Sequence, residues 1–268
     1  MHYLFLFPTI WEAAQKEVQR NTFMKLPSIL EMLQAGVHFG HQKSRWHPKM
    51  ADFIFTERHG VHIIDLEKTQ VQLETVLAQV TELAAQGKRI LFVSTKPQAK
   101  QLVQTAAQAC GMPYLVDRWI GGMLTNFTKI KRLITKYNHQ KEQQANGELE
   151  KYTKKEQVTI GKNLEKMDLY LAGLSTLDRM PDVLFVPAVQ REKSAIVEAN
   201  KTNVPVIGVC DTNANPNKVT YVIPSNDDAV RSIEMMVNLV SAAISEGVKE
   251  FEKRKSFLTH FLPGVVHL

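Results

Sequence analysis

One short stretch of the chain mixes basic and aromatic side chains in a way that suits contact with nucleic acid. Three cations and one indole lie within residues 43–49: Lys43, Arg45, Trp46 and Lys49. Lysine and arginine neutralise phosphates, and an exposed indole can stack on an unpaired base. Trp46 could instead pack beneath a loop, because indoles are mostly buried. The residue types therefore predict a segment that contacts a polyanion, with either role open for Trp46.

A second stretch combines a cation, an indole and two glycines. Arg118 and Trp119 follow an apolar run, and residues 121–122 are glycines that would let the backbone approach a partner closely. Thr125 or Asn126 could cap a helix that follows. Packing beneath the loop is again the alternative to base stacking for the indole. We expect Arg118 to contact phosphate.

The largest basic surplus lies on a predicted pair of helices between Asn126 and Leu174. Two apolar patterns with spacings of three and four residues are separated by a polar stretch, which is typical of two antiparallel helices packed along an a/d seam. Residues 129–168 carry ten basic and six acidic side chains, in a chain whose formal charge is +6. Four cations follow one another there without an intervening acid: Lys129, Lys131, Arg132 and Lys136. A charge run is usually a solvated face, but this asymmetry favours a polyanion as partner.

A metal-dependent phosphate-handling α/β enzyme is the alternative function. Asp65, Asp117 and Asp211 each follow an apolar run, the position where open α/β sheets bind ligands, and carboxylates suit Mg²⁺. However, the sequence contains no GxGxxG, no GxxxxGK[ST] and no GxSxG motif. An aspartate at such a junction is more often a helix cap than a catalyst. We therefore expect no catalytic residue and no cofactor.

Metal binding has little support in the sequence. Five of the nine histidines lie between residues 38 and 62, and His38 and His41 are close enough to share a metal ion. No cysteine or second closely spaced pair completes a tetrahedral ligand set, and HExxH is absent. Cys110 and Cys210 are too few for a disulfide scaffold and are predicted to be buried thiols. We expect no metal site, and the sequence leaves the region of His38 and His41 open.

The elements that must position these residues alternate between short β-branched runs and segments of helical spacing. The apolar runs are residues 61–66, 89–93, 114–116, 183–186, 204–209 and 219–223. Runs that are apolar throughout indicate a sheet covered on both faces, and strand–helix alternation gives parallel crossovers. The sequence thus predicts a doubly wound parallel sheet, a flavodoxin- or Rossmann-like three-layer α/β sandwich, with an inserted antiparallel α-helical coiled-coil hairpin.

The predicted organisation assigns 24–125 and 175–248 to the α/β domain, 126–174 to the inserted hairpin and 249–268 to a charged tail. Residues 1–23 lack the cation that precedes the apolar stretch of a secretory signal. We interpret them as a peripheral extension or as translated upstream sequence, with an organelle transit peptide as the alternative. No apolar run approaches the roughly 18–20 residues of a membrane helix, so we expect no membrane partner.

Seven blocks of the sequence resemble the bacterial S-two family of small-subunit ribosomal proteins. In chain order they are AGVHFGHQ (35–42), WHPKM (46–50), VHIIDLEKT (61–69), RWIGGMLTNF (118–127), MPD (180–182), PVIG (205–208) and PSNDDA (224–229). The resemblance covers roughly residues 24–255. Residues 1–23 and the tail after Lys255 lie outside it, so nothing about them follows from the family.

The resemblance implies a non-catalytic, structural constituent of the small ribosomal subunit. Such a protein has a parallel α/β fold with a helical hairpin, and it binds 16S-type rRNA between the head and body of the particle. It contacts neighbouring ribosomal proteins, including the large mRNA-binding protein built of OB-fold repeats, and so supports assembly and translation. The implied location is the cytoplasmic ribosome, with an organelle ribosome as the alternative. A protein–protein scaffold acting through the helical seam is a third class of function.

Overall fold

The described chain begins with a short helix and a three-stranded antiparallel sheet. The computed structural model describes residues 26–261, apart from the side chains of 150, 151 and 257–261. The predicted extension, 1–23, and the end of the predicted tail, 262–268, lie outside the described residues. Helix α1 spans Ile29–Ala35 and starts with a capping box made by Ser28 and Glu31.

The antiparallel sheet consists of β1 (Phe39–Gln42), β2 (Ile54–Arg58) and β3 (Val61–Ile64), in the order β1-β3-β2. The strand predicted to start at Val61 is present as β3. The prediction that this strand belongs to the parallel sheet is wrong, because β3 pairs antiparallel with β1 and β2. The reason is the two-residue turn of His59 and Gly60, whose φ angles are 52° and 76°. A turn with two positive φ angles joins adjacent antiparallel strands, so β3 must pair with β2.

Five parallel strands form the central sheet. They are β4 (Ile90–Val93), β5 (Tyr114–Leu115), β6 (Val183–Val186), β7 (Val206–Cys210) and β8 (Tyr221–Pro224), in the order β5-β4-β6-β7-β8. Every residue of β4, β6 and β7 is buried, as expected for strands that are apolar throughout. The prediction of a parallel α/β fold is confirmed. Cys110 and Cys210 are both buried free thiols, which confirms that prediction too.

Helices cover both faces of the central sheet. They are α2 (Leu66–Ala85), α3 (Lys100–Ala109), α4 (Phe127–Ala145), α5 (Lys154–Leu171), α6 (Lys193–Lys201) and α7 (Val230–Phe261). Alternate residues of β4 enter different cores: Ile90 and Phe92 pack with α2, α3 and α7, whereas Leu91 and Val93 pack with α4, α5 and α6. Two apolar cores on opposite faces of one sheet give three layers.

Helices α4 and α5 fall where the two helical patterns were predicted. Ile130, Ile134 and Tyr137 of α4 are buried, and so are Leu164 and Leu171 of α5. The hydroxyl of Tyr137 donates a hydrogen bond to the carboxylate of Asp168, which also lies 2.8 Å from the Lys141 ammonium. Phe127 of α4 and Ile160 and Met167 of α5, which belong to the same two apolar patterns, are only half-buried. The two helices therefore make both apolar and polar contacts.

Helix α7 runs far beyond the predicted end of the α/β domain. The charged stretch that starts at Lys249 continues α7 as far as Phe261. Among residues 26–261, no helix combines the length and the apolar character that crossing a membrane requires.

Replacing Gly247 with alanine should destabilise the fold, because α7 crosses α2 at this residue. An added Cβ would lie 2.3 Å from the carbonyl oxygen of Thr81 and 2.6 Å from the Cβ of Ala84. These atoms belong to or adjoin the α2 backbone, so no side-chain rotation can relieve the overlap. Overpacking of this kind costs about 1–3 kcal/mol, which urea denaturation would measure.

Gly161→Ala is the matched control for this substitution. Gly161 also lies inside a helix, α5, but an added Cβ would meet nothing within 4 Å. Relief of the glycine entropy cost should stabilise that variant by about 0.5–1 kcal/mol. Equal stability of Gly247→Ala and the wild-type chain would contradict the close crossing of α2 and α7.

Candidate nucleic-acid interface

Hydrogen bonds hold residues 43–49 next to the end of strand β7. The backbone N–H of His47 donates to the carbonyl of Thr212 at 2.7 Å. The backbone N–H of His41 donates to the hydroxyl of Thr212 at 2.8 Å. Because Thr212 follows β7, these two bonds hold the segment at the carboxyl rim of the central sheet, where the parallel strands end.

The cations predicted in this segment are all exposed. Lys43 and Arg45 lie in one 3-10 turn, and Lys49 lies in the next. The Lys43 ammonium sits 2.8 Å from Glu57 of β2, and this hydrogen bond lowers the pKa of the Glu57 carboxyl. Trp46 packs at 5.1 Å from the ring of His62 and leaves 36% of its surface exposed. Its indole is therefore partly packed and partly open to a partner.

The loop 118–126 is held by a single carboxylate on α6. The Oε1 atom of Glu198 accepts hydrogen bonds from the indole N–H of Trp119 at 3.0 Å and the backbone N–H of Gly122 at 2.9 Å. The Oε2 atom accepts from the backbone N–H groups of Leu124 and Thr125 and from the Thr125 hydroxyl, at 3.1–3.2 Å. Five donors thus converge on one side chain, and the loop is fixed on α6.

The hydrogen bonds of Glu198 show how Trp119 packs and whether Thr125 or Asn126 caps α4. The indole of Trp119 is half-buried and donates a hydrogen bond to Glu198. Of the two roles that the sequence left open for Trp119, packing beneath the loop is therefore the one observed, and base stacking is not. The predicted side-chain cap of α4 is wrong, because the Thr125 hydroxyl is engaged by Glu198 and the side chain of Asn126 makes no capping bond. Arg118, at the start of the loop, is exposed as predicted.

Helix α4 begins directly after this loop and carries the remaining predicted cations. Lys129, Lys131, Arg132 and Lys136 are all exposed. Residues three and seven positions apart share one face of a helix, so Lys129, Arg132 and Lys136 form a single row, here named the α4 stripe. Lys131 lies outside it. Within the described part of the chain, none of these four side chains forms an ion pair.

The predicted residues thus fall into two groups on the same rim of the sheet. Residues 43–49 lie by the end of β7, whereas Arg118 follows β5, which is the strand at the sheet edge. Three strand spacings separate β5 from β7, which corresponds to about 14 Å. The two groups do not touch each other, but one extended polyanion could contact both.

The three aspartates of the enzyme alternative do not converge. Asp65 follows the antiparallel sheet and caps α2 by accepting from the backbone N–H groups of residues 67 and 68. Asp117 pairs with Lys100 at 2.5 Å. Asp211 is buried at the end of β7, three strands away from Asp117. Their separation removes the shared Mg²⁺ site that the alternative requires.

A different group of acids surrounds His41 on the rim. His41 Nδ1 lies 3.0 Å from Asp211, and His41 Nε2 lies 3.3 Å from Asp228. The Lys96 ammonium lies 3.0 Å from Asp227 and 2.6 Å from Asp228. Potential ligand atoms of His41, Asp227 and Asp228 lie within 4.8 Å of one another, so these residues could hold a metal ion. In the structure, the Lys96 ammonium supplies positive charge beside these carboxylates, and His41 adds to it when it is protonated.

The protonation of this cluster follows from its burial and its charges. The hydrogen bond to Asp211 raises the pKa of His41. Burial, and then the nearby charge of Asp211, raise the pKa of Asp227 to about 6 against the opposing effect of Lys96. His38, the other histidine considered as a metal ligand, packs on Phe39, and burial lowers its pKa. His38 is therefore not part of the cluster around His41.

Comparison with known proteins assigns the chain to a family. A family model described as ribosomal protein S2 matches residues 32–247. A small ribosomal subunit protein uS2 of Dictyoglomus thermophilum is 47% identical over 83% of this chain and 91% of its own length. The uS2 proteins of Coprothermobacter proteolyticus and Parabacteroides distasonis are 45% and 44% identical over 84% of this chain, and 84% and 81% of their own lengths.

The chain belongs to the ribosomal protein S2 family. The resemblance seen in the sequence blocks is confirmed, and so is the prediction of a structural ribosomal role. Ribosomal protein S2 is not an enzyme family, so the alternative of a phosphate-handling enzyme is not supported. Both groups of cations described above lie within the part of the chain that the S2 model matches.

Sequence reasoning missed Glu198, the residue that organises the loop 118–126. Glu198 lies in α6, between 73 and 79 residues from its partners in the loop. Burial alone would raise the pKa of Glu198, but the hydrogen bonds from Trp119 and the loop backbone hold it below its usual range. No local motif marks this role. In the structure, Gly122 adopts a φ angle of 84° in this loop, a conformation that glycine favours.

Proposed function

We propose that this S2 protein binds small-subunit rRNA through residues 43–49, Arg118 and helix α4, with Lys131 beside the α4 stripe. The observation that carries the proposal is the two-sided character of α4. One face buries Ile130, Ile134 and Tyr137, whereas the α4 stripe is exposed and makes no ion pair within the described residues. Cations that are free of internal partners remain available for phosphates.

The mechanism that we propose is charge neutralisation combined with a fit of shapes. Folded rRNA presents a phosphate surface, which lysine and arginine contact with little reading of base sequence. Glu198 would keep Arg118 and the start of α4 in a fixed relation, so the cations meet the RNA as a preformed surface. Trp46, open on one side, is suited to stack on a base or ribose at the other group of cations.

Removing the α4 stripe should weaken rRNA binding without unfolding the protein. Each phosphate contact adds roughly 0.7 to the salt slope, so Lys129→Ala, Arg132→Ala and Lys136→Ala together should lower that slope by about 2. Titration of purified protein with small-subunit rRNA over a salt series would measure it, and a tagged copy should enter small subunits less in cells depleted of the native protein.

The control variant replaces three exposed lysines on the neighbouring helix α5: Lys154, Lys155 and Lys162. It removes the same charge from the same part of the protein, so a general loss of attraction would affect both variants alike. Adding Lys131→Ala to the α4 variant then measures what the residue outside the stripe contributes. An unchanged salt slope and unchanged incorporation for the α4 variant would contradict its role.

We also propose that α4 and α5 form an antiparallel coiled-coil hairpin inserted between 24–125 and 175–248 of the α/β domain. The buried apolar residues on both helices and the hydrogen bond from Tyr137 to Asp168 support this proposal. The same organisation would leave residues 1–23 and 249–268 as peripheral parts. Its decisive test is the stability of the helical seam, for which Leu171 is the best probe.

We further propose that the protein contacts neighbouring ribosomal proteins, including the large OB-repeat protein that binds mRNA, and resides on the cytoplasmic ribosome rather than an organelle ribosome. Family membership is what supports these partners. If so, small subunits depleted of this chain should lose the OB-repeat protein in gradient sedimentation and regain it when the chain is restored. Retention of that protein by depleted subunits would contradict the contact.

A further inference from the structure

The region of helix α6 has a small net charge in the sequence, but its exposed surface is strongly basic. Residues 191–201 read REKSAIVEANK, with three basic and two acidic side chains. Glu192 is only 3% exposed, and its carboxylate accepts from the backbone N–H and the hydroxyl of Thr95 at 2.5 and 2.7 Å. Glu198 is engaged by the loop 118–126. Both acids of residues 191–201 therefore serve contacts inside the protein.

The basic side chains of this region remain outside. Arg191, Lys193 and Lys201 are exposed. The exposed Lys218 lies beside them, because the side-chain amide of Asn200 donates to its carbonyl oxygen at 3.2 Å. None of the four makes an ion pair with any acid in residues 26–261 whose side chain is described. These four residues are named the α6 basic face.

We propose that the α6 basic face is a second phosphate-binding surface, which takes the backbone of an rRNA strand. The inference rests on the proposed function and adds a surface that neither the sequence motifs nor the α4 stripe include. Lys193 and Lys201 are eight residues apart on one helix, which separates their backbones by about 12 Å. A rigid helix of this length presents its cations at a fixed spacing to an extended polyanion.

The chemistry of the surface favours RNA over an acidic protein. The core of a protein interface is usually apolar or aromatic, but on α6 the only exposed large apolar side chain in the described structure is Val197. Through Glu198, α6 also binds the loop that carries Arg118, so the α6 basic face adjoins a surface that we propose as an rRNA contact. A surface of exposed cations with few apolar side chains between them is suited to bind a phosphate backbone.

The test compares the variant Lys193→Ala/Lys201→Ala with the wild-type full-length chain. Small-subunit rRNA is titrated over a fourfold range of salt concentration. Loss of two phosphate contacts should lower the log–log salt slope by roughly 1.4. The affinity advantage of the wild-type chain should therefore shrink roughly sevenfold between the lowest and highest salt concentration. Thermal unfolding should be unchanged, because both side chains are exposed.

The control is Lys249→Ala/Lys253→Ala, which removes two exposed lysines from helix α7. An unchanged slope for the α6 variant, with a reduced slope for the α4 stripe variant, would overturn this inference and leave the proposed function intact. A wild-type chain that binds no rRNA would instead overturn the proposed function. If the α6 variant keeps its rRNA affinity but loses an acidic ribosomal protein, the surface belongs to a protein partner and the inference is wrong.

Discussion

Leu171→Ala should lower the free energy of unfolding by ~2–5 kcal/mol. Leu171, the last residue of α5, is completely buried in the core that α4, α5 and α6 share with the central sheet. Truncation removes the apolar contacts of the side chain and leaves a cavity that a rigid sheet cannot fill. Leu164, 2% exposed on the same helix, should give a loss of similar size. Urea or thermal unfolding would measure both losses.

Leu169→Ala provides the matched control, because it makes the same chemical change two residues away on the same helix. Leu169 is 64% exposed, so its truncation should alter stability by about 0.5 kcal/mol at most. Losses well below 2 kcal/mol for both Leu171→Ala and Leu164→Ala would show that these leucines do not form a packed seam. That result would contradict the proposed coiled-coil hairpin of α4 and α5.

The sequence predicted the central sheet well because its strands are buried on both faces. Residues 183–186 form β6 with the predicted bounds, and β4 and β7 deviate only at their ends. Burial on both faces requires apolar side chains at every position, which leaves an unmistakable run in the sequence. Strand β5, at the sheet edge, is only two residues long, and its Tyr114 is half-buried whereas Leu115 is buried.

The antiparallel sheet and helix α1 could not be predicted in the same way. Strands β1 and β2 contain polar residues and are mostly exposed or half-buried, so they produce no apolar run. Helix α1 is seven residues long and buries only Met32, which is too little for a recognisable pattern. Their positions depend on contacts with distant residues, such as the bond from His41 to Thr212, 171 positions away.

The cations of the candidate interface could be predicted from residue type, but their arrangement could not. Charge and exposure follow from the chemistry of lysine and arginine, so the exposed state of Lys49, Arg118 and the α4 stripe was expected. The surplus on α6 was hidden, because the sequence does not reveal that Glu192 and Glu198 point inward. Which acids neutralise a neighbouring cation depends on tertiary contacts.

Glu198→Gln should reduce the free energy of unfolding near neutral pH by on the order of 3 kcal/mol. An amide presents one oxygen acceptor and one nitrogen donor where the carboxylate accepts five hydrogen bonds. Donors of the loop would then face a donor, and hydrogen bonds to a charged acceptor would be lost. Urea unfolding at several pH values would measure the loss.

The pH dependence of this loss identifies its cause. The hydrogen bonds hold the folded-state pKa of Glu198 below the ordinary value of 4.5. The charge therefore stabilises the fold fully above that value, and this contribution is lost as the pH falls through the folded-state pKa. The stability difference between the wild type and Glu198→Gln should be constant near neutral pH and shrink in acid.

Glu74→Gln, which changes an exposed carboxylate on α2, should show little difference from the wild type throughout this range. A difference for Glu198→Gln that persists undiminished below the folded-state pKa would mean that shape rather than charge fixes the loop. If charge fixes the loop, the variant should also bind rRNA more weakly, because Arg118 and the start of α4 would no longer be held in one arrangement.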